Sequence, residues 1–146
     1  QLDLLRDEAT ELGIEVKESG IANSSELTAG AQALADVDAI YVGTDNTVVD
    51  GIEQVVTFGQ DNGIPLFVAD SASVERGGAA TRGIDYYELG KRTAEQAYEI
   101  LVNGVAPGEI APLQVTDTQI MVNLPAAEAY GLTVPESILA DAEVIE

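Results

Sequence analysis

An apolar run that empties into a short polar cluster constrains this chain more than any other feature. From residue 37 it reads Val37-Asp38-Ala39-Ile40-Tyr41-Val42-Gly43-Thr44-Asp45-Asn46-Thr47-Val48-Val49. The apolar part is the pattern of a buried parallel strand, and a helical pattern starts directly after it. A strand of that kind delivers side chains to the carboxyl edge of an open α/β sheet, where small ligands are usually held. Nothing else in the chain resembles reaction chemistry. There is no His and no Cys, and no Ser sits in a nucleophile-elbow context. The chain reads as a binder before it reads as an enzyme.

With 146 residues, 46% of them hydrophobic, the chain can bury one domain core. Its 26 acidic residues against 6 basic ones give a formal net charge of −20. Nucleic acid is repelled by such a surface, because neutralising phosphates takes clustered Lys and Arg. An anionic membrane surface is disfavoured for the same reason. Two accounts of the acidity stand side by side: a surface kept soluble by its charge, and adaptation to high salt, which screens carboxylate repulsion. Without Cys or His an ordinary zinc site is improbable, and no cofactor or metal is expected. No apolar stretch approaches the roughly 20 residues of a membrane-spanning helix. The opening Gln1-Leu2-Asp3-Leu4-Leu5-Arg6-Asp7-Glu8 is a helical pattern, not a signal peptide.

Leu2, Leu5, Ala9 and Leu12 fall at helical spacing, with Gly13 where a left-handed cap belongs. Ile14-Glu15-Val16-Lys17-Glu18 alternates like a strand near a sheet edge. Asn23-Ser24-Ser25-Glu26 is a capping-box signature for a helix carrying Leu27, Ala31 and Leu34. The strand from Val37 to Gly43 is apolar on both faces and is expected to be central. One helix is then expected from Asn46 or Thr47 through Phe58, stopped by Asp61-Asn62-Gly63. Ile64-Pro65-Leu66-Phe67-Val68-Ala69 is the next buried strand, and Gly77 to Ile84 holds a short one between flexible joints. Asp85-Tyr86-Tyr87-Glu88 caps a long helix ending at Asn103-Gly104.

This alternation predicts a doubly wound α/β fold: a parallel sheet with helices on both faces. After Pro107-Gly108 the character changes. Leu113 to Leu124 reads as one long strand whose weakest point is Thr116-Asp117-Thr118. Short helices are expected from Pro125 to Gly131 and from about Pro135. This carboxyl-terminal strand–helix appendix is expected to pack elsewhere. A doubly wound unit opens with a strand, yet this chain opens with a helix. The chain is therefore expected to be the carboxyl-terminal part of something larger, with its missing first strand central.

In this order the segments resemble one family, the substrate-binding proteins of ABC transporters, in the group that binds tryptophan and tyrosine. The resemblance rests on Val37 to Val49, on Ile64-Pro65-Leu66-Phe67-Val68-Ala69-Asp70 and on Gly83-Ile84-Asp85-Tyr86-Tyr87-Glu88-Leu89-Gly90. It continues through Val122-Asn123-Leu124-Pro125-Ala126-Ala127 and Gly131-Leu132-Thr133-Val134-Pro135-Glu136-Ser137-Ile138-Leu139. It implies one lobe of a type I periplasmic-binding-protein fold, with the ligand clamped between two lobes. Residues 1–104 would form the second lobe without its first strand, and residues 105–146 would cross back to complete the first. If the piece folds alone, Leu113 to Leu124 would fill the missing strand's place or pair with another chain in a strand-exchanged homodimer. The resemblance also implies an extracytoplasmic location and an ABC permease as partner, with the missing first lobe as the other wall of the site.

Thr44, Asp45 and Asn46 follow a buried strand at the ligand edge. A carboxylate there can pair with a ligand ammonium, while Thr44 and Asn46 can bond its carboxylate. The competing reading is that Asp45 or Asn46 only caps a helix. Asp70, Ser71 and Ser73 leave the next strand at the same edge, and Asp85 the one after, where a capping box with Glu88 explains Asp85 well. Tyr86, Tyr87 and Tyr98 could stack on an aromatic ligand or simply pack at a boundary. Arg76 and Arg82 are read as surface ion pairs or as holders of a carboxylate.

The reading that unites these residues is a binding module for a small molecule, an aromatic amino acid being the leading candidate, with no chemistry of its own. The alternative is the effector-sensing domain of a transcriptional regulator, since this fold serves both. An enzyme built on Asp45, Asp70 and Asp85 around a divalent cation is a distant third.

Overall fold

The structure, a computed structural model, describes residues 2–114 and 118–146. Strands β1 (Ile40–Val42), β2 (Leu66–Val68) and β3 (Ala80–Ile84) run parallel and lie side by side in that order. β4 (Thr118–Asn123) is antiparallel to β3, and β5 (Ala142–Ile145) is parallel to β4 at the far edge. The fold is thus mixed α/β on a mostly parallel five-stranded sheet.

Alternation along the strands places the core. Ile40, Val42, Leu66 and Val68 are buried on one face of the sheet. Onto them pack Leu27 of α2 (Leu27–Gln32), Ile52, Val55 and Val56 of α4 (Ile52–Asn62), and Val74 of α5 (Ser71–Glu75). Burying a Leu, Ile or Val side chain contributes about 1.5–3 kcal/mol, so this one layer dominates the stability. The opposite face is different. Tyr41 and Phe67, registered neighbours on β1 and β2, are 54% and 37% exposed. Helices on both faces were expected, but α6 (Tyr86–Leu101) buries none of its residues and α1 (Leu2–Glu11) buries only Ala9.

Several sequence expectations are corrected. β1 is an edge strand and not a central one, because no strand pairs with its outer side among the described residues. Ile14 to Glu18 forms no strand, since an extended segment becomes one only when a neighbour completes its ladder. It is held instead by ion pairs from Arg6 to Glu18 and from Lys17 to Asp36. The appendix does not pack elsewhere: β4 takes its place beside β3, so it neither lies next to β1 nor fills a gap there. The strand begins at Thr118, Leu113 and Gln114 are outside it, and residues 115–117 of the expected strand lie outside the described residues.

The helix expected from Asn46 through Phe58 is two helices, α3 (Asn46–Asp50) and α4, broken at Gly51. Gly51 leaves the helical region at φ −114° and ψ 25°, and Leu27 packs so close that its Cδ1 lies 2.5 Å from where a Cβ there would be. Gly63 ends α4 at φ 65°, the left-handed cap that Asp61-Asn62-Gly63 foretold. After β4 come α7 (Leu124–Ala129) and α8 (Glu136–Leu139), followed by β5, a strand that no sequence pattern announced. No helix among the described residues is long and apolar enough to cross a membrane.

Candidate ligand-binding edge

Three parallel strands end at the same side of the sheet, and each ends in a carboxylate. Asp45 follows β1, Asp70 follows β2 and Asp85 follows β3. Neighbouring strands are about 4.8 Å apart, so the three corners form one rim. The Ala69 amide donates to the Val42 carbonyl at 3.0 Å, which sets the Asp70 corner against the Gly43–Thr44 corner. Gly83 brings β3 equally close: a Cβ there would sit 3.1 Å from the Ala69 carbonyl oxygen and 3.7 Å from the Asp70 Cα.

All three carboxylates are helix caps. Asp45 Oδ1 accepts from the Thr47 amide at 2.9 Å and the Val48 amide at 3.2 Å, opening α3. Asp85 Oδ1 accepts from the Tyr87 and Glu88 amides at 2.9 and 3.0 Å, opening α6. Asp70 is more committed, because Oδ1 takes the Ser73 amide at 2.9 Å while Oδ2 takes the Ser73 hydroxyl at 2.8 Å. Capping therefore accounts for one oxygen each of Asp45 and Asp85 and for both oxygens of Asp70. The second oxygens of Asp45 and Asp85 have no hydrogen-bond partner among the described residues and can take a cationic group.

Thr44, Asp45 and Asn46 are exposed at the rim, and Ser71 is half-buried beside them as the first residue of α5. The structure brings these together. Ser73 drops out of the candidate set, being fully buried with its hydroxyl turned back onto Asp70. The carboxylates do not form a metal centre, as no group of three acids among the described residues could hold an ion. Tyr86, Tyr87 and Tyr98 are exposed on α6, and Lys91 Nζ lies 5.6 Å from the Tyr87 ring centroid.

Arg76, read from the sequence as a surface pair, does more than that. Its Nε and Nη2 fork onto Glu53 at 2.7 and 2.8 Å, and Nη1 and Nη2 donate to the carbonyls of Val49 and Asp50 at 2.6 and 3.3 Å. No sequence signal could have found the carbonyls, because they belong to a helix end that the sequence reading ran straight through. Arg82 is exposed and donates from Nε to the Thr118 hydroxyl at 3.1 Å, leaning toward β4.

Comparison with known proteins places this geometry in context. The model of the family described as ABC transporter substrate binding protein matches residues 1–145. A protein named tyrosine-binding protein, from Clostridioides difficile strain R20291, is 36% identical over 133 residues, 90% of this chain and 38% of its own length. A conserved domain protein from Vibrio cholerae superposes with a TM-score of 0.87 at 34% identity, over 99% of this chain and 49% of that one. A ligand-free, open substrate-binding protein with adhesive properties, from Clostridium difficile, gives 0.80 at 34% identity, over 100% and 49%. An ABC domain from Streptococcus pneumoniae in complex with L-Trp gives 0.86 at 29% identity, over 99% and 51%. The chain thus spans about half the length of the solved structures it matches, and less of the curated relative. On the family match and these relatives together, the chain belongs to the ABC transporter substrate-binding protein family.

Proposed function

We propose that this chain forms one wall of a cleft that captures an aromatic amino acid for import, without chemistry, and that the rim of Asp45, Asp70 and Asp85 faces the ligand. The observation that carries the reading is the convergence of three strand-end carboxylates on one sheet edge. Asp45 and Asp85 retain an oxygen for a ligand ammonium, and Thr44, Asn46 and Ser71 offer donors to its carboxylate. Relatives named for tyrosine binding and solved with L-Trp support the aromatic assignment. None of the relatives named above is a transcriptional regulator, so the effector-sensing alternative gains no support.

The rest of the protein supplies the opposing wall and covers the outer edge of β1 with its neighbouring face at Tyr41 and Phe67. A second copy in a strand-exchanged homodimer would be the substitute if the chain were isolated. An ABC permease receives the ligand, which places the protein outside the cytoplasm.

Calorimetric titration of the complete protein against L-tyrosine, L-tryptophan, L-phenylalanine and L-leucine tests the reading. Micromolar or tighter binding of an aromatic member is expected, weakened by Asp45→Asn, which keeps the cap but removes the charge. If none of the four binds, the amino-acid assignment is lost. If Asp45→Asn binds as well as the unaltered protein, Asp45 is a cap and nothing more.

A further inference from the structure

The corner that carries Asp45 is built on very little. α3 has five residues, none of them fully buried, with Val48 partly buried against the core. A single helical turn is not stable by itself, since fixing its first residues gains too few hydrogen bonds. Val48 packs its middle against the core, and Arg76 meets its carboxyl end.

Arg76 is the residue after α5, whose own first residue, Ser71, follows the Asp70 cap. From there its guanidinium meets the carbonyls of Val49 and Asp50 at the end of α3, and the Glu53 carboxylate in the first turn of α4. The path to the rim is short. Val49 receives Arg76 through its carbonyl while its amide donates to the Asp45 carbonyl at 2.9 Å. At the other end α5 is pinned to the core: Val74 is fully buried and its carbonyl takes the Asn123 side-chain amide at 2.9 Å. A cation at a helix carboxyl end also complements the helix dipole. Its bidentate fork on Glu53 adds a direction that a point charge lacks.

We infer that Arg76 is a positioning residue for the ligand rim, setting the Asp45 corner against the Asp70 corner without touching ligand. The inference rests on the rim being the ligand side. Its own core, the coupling of α5 to α3, can be tested separately. The Asp50, Glu53 and Asp70 carboxylates all attract the Arg76 guanidinium, so its removal also takes away their shared positive partner.

The test is amide hydrogen exchange, resolved by residue, on the complete protein and its R76M and R76K variants. Titration with L-tryptophan and L-tyrosine accompanies it. In R76M the Thr47 and Val48 amides, which Asp45 caps, should exchange about tenfold faster or more, the size expected when a charge-assisted partner is lost. The Leu66 and Val68 amides in β2 should hold. R76K keeps the charge and one donor direction, and should recover part of the protection together with part of the affinity. Unchanged exchange at Thr47 and Val48 would overturn the inference. So would an equal rise at Leu66 and Val68, which would make Arg76 a general stabiliser. If the unaltered protein binds neither amino acid, the ligand reading fails by itself, and the exchange pattern still decides whether Arg76 positions the corner.

Discussion

Asn123 and Val74 are 49 residues apart in sequence, yet the side-chain amide of one donates to the carbonyl of the other at 2.9 Å in the interior. The Asn123 side-chain oxygen accepts from the Ala126 amide, also at 2.9 Å, and so starts α7. Its backbone amide donates to the Ala79 carbonyl at 3.0 Å. One residue at the end of β4 thus joins α5, the entry to β3 and α7. A buried polar group is tolerated only when its capacity is used, and Asn123 uses its side chain at both ends.

Replacing it by Leu removes both side-chain bonds and strands the Ala126 amide, whereas the Val74 carbonyl keeps the Gly77 amide at 3.1 Å. Asn123→Leu should cost about 1–3 kcal/mol, the cost of one buried group left without a partner. Urea unfolding measures it, and a loss under about 0.5 kcal/mol would show that the junction is redundant.

Gly59 and Gly90 both lie inside helices, and they should respond to alanine with opposite signs. A Cβ on Gly59 would stand 2.6 Å from the Ile64 carbonyl oxygen and 3.0 Å from the Tyr130 ring. Overpacking of that kind costs about 1–3 kcal/mol and outweighs the gain of up to about 1 kcal/mol in helix propensity. On α6 a Cβ at Gly90 meets nothing within 4 Å, so only the propensity gain remains. Thermal unfolding should rank Gly90→Ala above the unaltered protein and Gly59→Ala below it. The reverse order would contradict the packing at Gly59.

Tyr130 is 5% exposed and its hydroxyl donates to the Gly77 carbonyl at 2.9 Å. Burial pushes its ionisation from 10.0 up to about 12. A raised value in the fold means that the protonated form is favoured there. Its contribution is whole below pH 10 and is lost as pH climbs toward 12. The stability difference between the unaltered protein and Tyr130→Phe should shrink by about 1.4 kcal/mol per pH unit across that window. A flat difference would mean that Tyr130 ionises as freely as an exposed tyrosine.

Salt should stabilise this protein. Arg6, Lys17, Arg76 and Lys91 are already in ion pairs with acidic neighbours. With 26 acids against 6 bases, there are too few bases to pair with most of the carboxylates. Raising the ionic strength from about 0.1 M to 1 M shortens the screening length from about 10 Å to 3 Å and relieves that repulsion. The melting temperature should rise with sodium chloride. A fall would show that the local ion pairs outweigh the surplus charge.

The parts of the fold written in local chemistry were legible in the sequence. Gly13, Gly63, Gly104 and Gly131 end their helices at positive φ, and Asn23 with Glu26 forms a capping arrangement, though it opens a 3-10 turn at Ser24–Glu26 that leads into α2, which ends at Gln32 before Leu34. The rim was legible for the same reason, because an Asp after an apolar run marks both a strand end and a helix start. What depends on distant neighbours was not legible. Ile14 to Glu18 has strand periodicity but no ladder partner here, whereas Ala142 to Ile145 has little periodicity and becomes β5 because β4 lies beside it. The strand from Val37 to Gly43 looked central from its hydrophobicity alone, but position in a sheet is decided by which strands lie alongside. Arg76 was recognised as a cation, and its carbonyl acceptors were hidden by the unforeseen break at Gly51.

That each rim carboxylate doubles as a helix cap has an evolutionary consequence. Asp, Asn, Ser and Thr can all start a helix, with differences smaller than the cost of losing the cap. Substitutions among these four at positions 45, 70 and 85 would change the charge and donors shown to a solute while α3, α5 and α6 still began where they do now. Under the proposed function, the fold thus allows selectivity to drift within a four-letter alphabet, and a lineage could change its preferred solute without first passing through an unstable intermediate.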